Sequence, residues 1–151
     1  MSYSELIRQI QARRPPAWEL LGVGGVSYDQ LLNRVTIEWH AEQRHCHSVE
    51  GHPKGGIVQG GIVTGWLDAA MATASLLHGE YQIAVASLEI KVAFLLPAHP
   101  GLYRTHGKVL RQGRSIGFME AELRDANDVL IATASSTAAL RAKNPAGTSP
   151  A

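Results

Sequence analysis

"GGIVQGGIVTGWLDAAMATAS", residues 55–75, reads as an apolar helix that opens on the glycine pair Gly60-Gly61 and carries a single acid, Asp68. Its apolar residues (Ile62, Val63, Trp66, Leu67, Met71, Leu76, Leu77) leave no clear polar stripe, so the rest of the fold is expected to surround it on nearly all sides. The pattern predicts a helix from Gly60 to about His78, closed by Gly79 as a C-terminal cap. A carboxylate in such a setting needs a reason, because burying an ionised acid without partners costs several kcal/mol (roughly).

Outward from this helix the chain reads as strands. Upstream, Ser2 and Glu5 form a capping pattern for a short amphipathic helix that Pro15 and Pro16 stop, giving an N-terminal helix and linker over residues 1–17. The glycines of "GVGGV" introduce a first strand, and "NRVTIEWHA" alternates with Val35, Ile37, Trp39 and Ala41 on one face, so a hairpin is expected around Leu31 to Asn33. Residues 42–58 form a long loop rich in histidine and glycine, of the kind that tends to be functional. Downstream, alternation over 83–96, 102–111, 114–124 and 129–141 predicts four antiparallel strands, with turns at Gln112-Gly113 and over 125–128. Residues 143–151 read as a flexible tail. The fold class is therefore α+β, a single domain over 1–142 in which an antiparallel sheet wraps one long central helix.

Bulk composition narrows the function. The 151 residues suit one core, and a formal net charge of +1 offers no field that selects nucleic acid or a membrane surface. Cys46 stands alone, which excludes an internal disulfide and points to a reducing, cytoplasmic setting. The first residues, "MSYSELIRQIQARR", lack the apolar segment of a signal peptide, and no uninterrupted apolar run is long enough for a membrane span.

Two features carry chemistry. At Gly60 and Gly61 a helix begins, and there free N–H groups and the positive end of the dipole favour an anion or a polarised carbonyl. The small neighbours of Asp68 (Thr64, Gly65, Ala72) leave room beside the acid for something other than protein, although a carboxylate facing solvent through a gap, or held by a neighbouring loop, fits the sequence as well. Gly60 and Asp68 lie eight residues apart in the chain, roughly 12 Å along a helix. They can act on one carbonyl only if a second copy of the helix runs past the first in the opposite sense, as in a two-fold dimer.

"GIVQGGIVTGWLDAAMATA", "SLEIKVAFLLPAHPG", "GKVLRQGR" and "LIATASSTAAL" together resemble the hotdog-fold acyl-CoA thioesterases of the phenylacetate-pathway (PaaI-like) family over about residues 45–140. The resemblance implies hydrolysis of an acyl-CoA by a homodimer, with dimers pairing again into a tetramer, and no cofactor or metal. It implies that the Gly60 amide, with Gly61 beside it, polarises the thioester carbonyl, that Asp68 of the second subunit is nucleophile or base for water, and that Ser87 helps to hold the water. Ser87 alternates in phase with Glu89 and Lys91 rather than with Ile90 and Val92, so a bulge or a strand-end position is required for it. Where the family commonly has a histidine before the two glycines, this chain has Gln59, which can still make orienting hydrogen bonds. Pro53 takes the position of a common asparagine, and His52 beside it is the candidate replacement.

Lys108, Arg111 and Arg114, with Ser115, are the expected contacts for the phosphates of coenzyme A; the same residues also suit a soluble hairpin tip. His45, Cys46, His47 and His52 have ligand chemistry for zinc, but their order fits no familiar site and a solvated loop is the alternative. Trp39, Trp66, Met71 and Phe94 fit either core or acyl pocket. Two other functions fit the fold: a non-catalytic acyl-CoA sensor, which would gain nothing from Asp68, and a hotdog dehydratase or hydratase, whose histidine-carboxylate motif is not found.

Overall fold

The computed structural model describes residues 1–143. Helix α1 (Tyr3–Ala12) starts on the expected capping box, with Ser2 accepting from the Glu5 N–H and Glu5 reaching back to the Ser2 N–H. It buries Leu6 and Ile10 against the core, a stabilisation of about 1.5–3 kcal/mol for each. Pro16 does more than end a helix. It occupies the first turn of a short second helix, α2 (Pro16–Leu20), where its missing N–H costs nothing, so the expected linker is partly helical.

Strands β1 (Val23–Asp29) and β2 (Arg34–Ala41) form the first hairpin. Within the long loop the chain makes a 3-10 turn (Gln43–His45) and a small ladder, β3 (Cys46–Ser48) against β4 (Ile57–Val58), which the polar composition concealed. Gly56, at φ +142°, permits that ladder to close, since a Cβ there would stand 2.8 Å from both Cys46 Sγ and the Ser48 carbonyl oxygen. Then comes α3 (Gly60–His78), followed by β5 (Ile83–Phe94), β6 (Gly101–Gln112), β7 (Ile116–Asp125) and β8 (Leu130–Ala142). The predicted strands agree with these to within about two residues.

The main sheet has the order β1-β2-β6-β7-β8-β5, with every neighbouring pair antiparallel, and it wraps α3. Gly107 on β6 lets the helix lie directly on the sheet: a side chain there would collide with the Ala70 carbonyl. Trp18 meets Trp39 edge-on, and Trp39, Trp66 and Tyr103 stack in turn, with successive ring centroids 6.1, 6.1 and 5.6 Å apart. The polar edges of the two central rings are satisfied, Trp39 Nε1 donating to Thr105 Oγ1 and Trp66 Nε1 to the Leu21 carbonyl. Trp39, Trp66 and Met71 are thus core residues.

One expectation about α3 needs correction. The helix is not covered all round: Gly61, Thr64, Asp68, Ala72 and Leu76 remain partly or fully exposed, and their spacing of three and four residues forms one open strip. Hydropathy could not mark this strip, because small and apolar residues line it as they line the core. The open strip lies beside β5, which ends the sheet and has no strand on its outer side. The expected tail, residues 143–151, falls almost wholly outside the described residues; Lys143 itself donates its N–H to the Gln82 carbonyl and places Nζ 3.9 Å from the centre of the Tyr81 ring.

Candidate active site

The start of α3 is built around Gln59. Its backbone is extended (φ −65°, ψ 136°), and its side-chain oxygen accepts from the Ile62 N–H, so the amide side chain caps its own helix. The Gln59 N–H donates to the His45 carbonyl at 2.9 Å, which ties the helix start to the end of the 3-10 turn. Ile62 and Val63 also donate to the Gln59 carbonyl. The N–H groups of Gly60 and Gly61 have no acceptor among the described residues, and they sit at the positive end of a 19-residue helix.

Gly60 opens onto an apolar pocket of about 320 Å³ lined by Val58, Val63, Phe94, Leu95, Leu96 and Ile131, with His47 at its wall. Phe94 belongs to this wall and not to the core: its ring tip lies 3.3 Å from where a Gly60 Cβ would stand, and 57% of the residue is exposed. The pocket is therefore an apolar slot with the Gly60 N–H at its foot.

Two turns further along α3, Asp68 occupies the open strip, half-buried. Ser87 Oγ donates to its Oδ1 at 2.7 Å. The contact exists because β5 contains a bulge: Ser87 pairs with Ala138 and Glu89 with Thr137, so Leu88 has no residue opposite it. Ahead of the bulge Ile83, Val85 and Ser87 face the helix, and behind it Ile90 and Val92 do. The alternation that set Ser87 on the wrong face is broken at one residue.

Other residues fall elsewhere. His52 packs its ring on His99, centroids 5.1 Å apart, accepts from the Lys54 N–H, and does not line the pocket at Gly60. Lys108 lies on the outer face of the sheet, paired with Glu120 at 2.8 Å. Arg111, Arg114 and Ser115 are exposed at the β6–β7 turn, beyond the C-terminal half of α3, where Gln112 accepts from Ser75 Oγ. His45 is buried, its Nε2 hydrogen-bonded to the Leu20 carbonyl, and burial pushes the Cys46 thiol above its ordinary range. Among the described residues no three His, Cys, Asp or Glu side chains converge as a metal site would require, and no helix is long and apolar enough to cross a membrane.

His47 is the pocket residue that sequence reasoning assigned to a solvated loop. The signal for it was the pairing of 46–48 with 57–58, a ladder too short to leave a periodic pattern.

Comparison with known proteins places this geometry. The chain is 35% identical over 81 residues to a presumed esterase of Saccharolobus solfataricus, an alignment that covers 54% of this chain and 57% of that relative's length. A Ralstonia eutropha structure, described as a presumed thioesterase related to phenylacetic acid degradation, superposes with a TM-score of 0.73 at 26% identity, covering 91% of this chain and 98% of the other. A thioesterase of Haemophilus influenzae shares the fold with a TM-score of 0.76 at 17% identity, over 98% of this chain and 96% of that one. The model of the thioesterase superfamily matches residues 55–132, a span that includes the glycine pair, the helix acid and the bulged strand. This chain is a member of the thioesterase superfamily.

Proposed function

We propose that the protein hydrolyses an acyl-CoA thioester at two composite sites of a two-fold dimer. The observation that carries this reading is the open strip of α3 beside the unpaired edge of β5, with Asp68 and Ser87 joined where the two meet. A long exposed edge strand invites pairing, and a strip of small side chains allows a second helix to approach closely. Gly60 and Asp68 each lie four residues from Thr64. Two antiparallel copies of α3 that cross at Thr64 therefore set the glycine amide of one against the acid of the other.

In that arrangement the Gly60 N–H, at the positive helix end, donates to the thioester oxygen and stabilises the charge that develops there. The Asp68 carboxylate of the second copy takes a proton from water, or attacks the carbonyl itself. Ser87 holds Oδ1 and so leaves Oδ2 to the reaction. The apolar slot accepts the acyl chain or the pantetheine arm. The β6–β7 turn of the second copy, carrying Arg111, Arg114 and Ser115, reaches past the helix start, where the phosphates of coenzyme A would lie. Dimers pair again into a tetramer in this reading. The chemistry asks for no metal or cofactor; coenzyme A belongs to the substrate.

Thiol release from a panel of acyl-CoAs tests the activity, and subunit complementation tests the site. Asp68→Asn removes the base. Gly60→Pro removes the N–H at a position that tolerates proline, because Gln59 already has the extended backbone that precedes proline and the ring tip of Phe94 is free to yield. Both homodimers should be inactive, whereas a heterodimer purified with two affinity tags should retain one intact site and about half the wild-type rate. An inactive heterodimer would exclude the composite site. Tight acyl-CoA binding without thiol release would favour the sensor.

A further inference from the structure

We propose that His47 gives a proton to the sulfur as the thioester bond breaks. The inference rests on the hydrolytic reading above and assigns a residue which that reading leaves idle. Among the residues lining the pocket at Gly60, His47 is the one ionisable side chain; the other walls are aliphatic, aromatic or glycine. It is not carried there by a free loop. Cys46 pairs with Val58 and Ser48 with Ile57, so the strand bearing His47 is fastened on both sides of it to the segment that leads into Gly60. His47 Nδ1 lies 2.8 Å from Ser48 Oγ, which leaves Nε2 as the uncommitted ring nitrogen.

The sulfur is bonded to the same carbon whose oxygen Gly60 holds, so the wall around that amide borders the sulfur too. Asp68, on the second copy, takes its proton on the side of the attacking water, whereas His47 stands on the wall of the copy whose amide holds the carbonyl, and an amide N–H does not give a proton up. An alkyl thiolate leaving into an apolar slot would be a desolvated anion, which is costly. The imidazolium removes that cost. Water oxygen bonds to the acyl carbon while Asp68 takes one of its protons. The carbon–sulfur bond then breaks, its electron pair goes to sulfur, and the proton on Nε2 goes with it. Acid and thiol leave, and the proton held by Asp68 returns through solvent to the imidazole.

The test uses His47→Gln, a change at an exposed position whose amide can still meet Ser48. One acyl group is offered on two leaving groups: coenzyme A, an alkyl thiol that needs the proton, and an aromatic thiol whose anion is stable without it. The expected result is a fall in kcat of at least about tenfold on the acyl-CoA and less than about twofold on the aryl thioester, with an unchanged melting temperature. Equal losses on both substrates would mean that His47 only shapes the pocket, and no loss on the acyl-CoA would mean that it takes no part; either overturns the inference while hydrolysis by wild type stands. A wild-type protein that releases thiol from neither substrate would overturn the hydrolytic reading itself.

Discussion

Two cavities among the described residues differ in kind, and the larger is the less suited to catalysis. On the outer face of the sheet a groove of about 620 Å³ runs past Arg34, Lys91, His106, Lys108, Glu120 and Glu122. Much of its charge is already committed: Lys108 meets Glu120, Glu122 meets Arg124, and His106 Nδ1 is bonded to Thr36 Oγ1. The pocket at the start of α3 is half that size and almost without charge, yet it is lined by Gly60, whose N–H has no acceptor among the described residues. Volume and polarity mark a surface that water and neighbouring charges can satisfy. Uncommitted donors against an apolar wall mark a place where a substrate would complete the structure.

Substitutions at the proposed composite site and in the groove should therefore separate activity from stability. The largest effect is expected at Asp68. Asp68→Asn should lower thioester hydrolysis by about 10³-fold, some 4 kcal/mol in the barrier, with an unchanged circular dichroism spectrum; comparable turnover by the variant would remove the acid from the mechanism. Ser87→Ala leaves the carboxylate in place and removes only the hydroxyl that holds it. A loss of about tenfold in kcat is expected there, with little change in KM or melting temperature, since the group orients the acid and does not bind substrate.

The smallest effect belongs to the groove and should appear only in stability. Burial first, and the nearby Arg34 second, hold the His106 imidazole below its ordinary range, so the unfolded chain binds a proton that the folded chain resists. Stability from this group is complete above the ordinary imidazole range and is lost as pH falls through it. Glu122, lowered mainly by its hydrogen bond from Arg124, works in the same direction at more acid pH. Differential scanning fluorimetry between about pH 7.5 and 5.5 should show a fall of a few degrees in wild type and a smaller one in His106→Gln. Thiol release by that variant at neutral pH should match wild type, and a large loss would mean that the groove shares in the reaction.

How far these features could be read from the sequence varied with the range of the interaction that makes them. Helix α3 was legible because its signals are local: a glycine pair, an apolar run and Gly79. The four long strands were legible for the same reason, and the phase of Ser87 required the bulge now seen at Leu88. Helix α2 was missed because a proline that stops one helix also suits the first turn of the next. The open strip of α3 was legible only around Asp68, where small neighbours leave room; along the rest of it, residues that face a solvent gap or a second copy have the same polarity as those that face the core. His52 stacks on His99 and His47 rides a strand fastened to the helix start, and nothing in the chain between them announces that difference.

Leu88 gives the edge strand one residue more than its partner opposite, and that surplus decides which face the first half of β5 turns to the helix. Were Leu88 paired in regular alternation instead, Ala84, Ala86 and Leu88 would face the helix ahead of Ile90 and Val92, and the hydroxyl of Ser87 would turn away from Asp68. An irregularity that a sheet alone would be free to lose is thus anchored by the acid it serves.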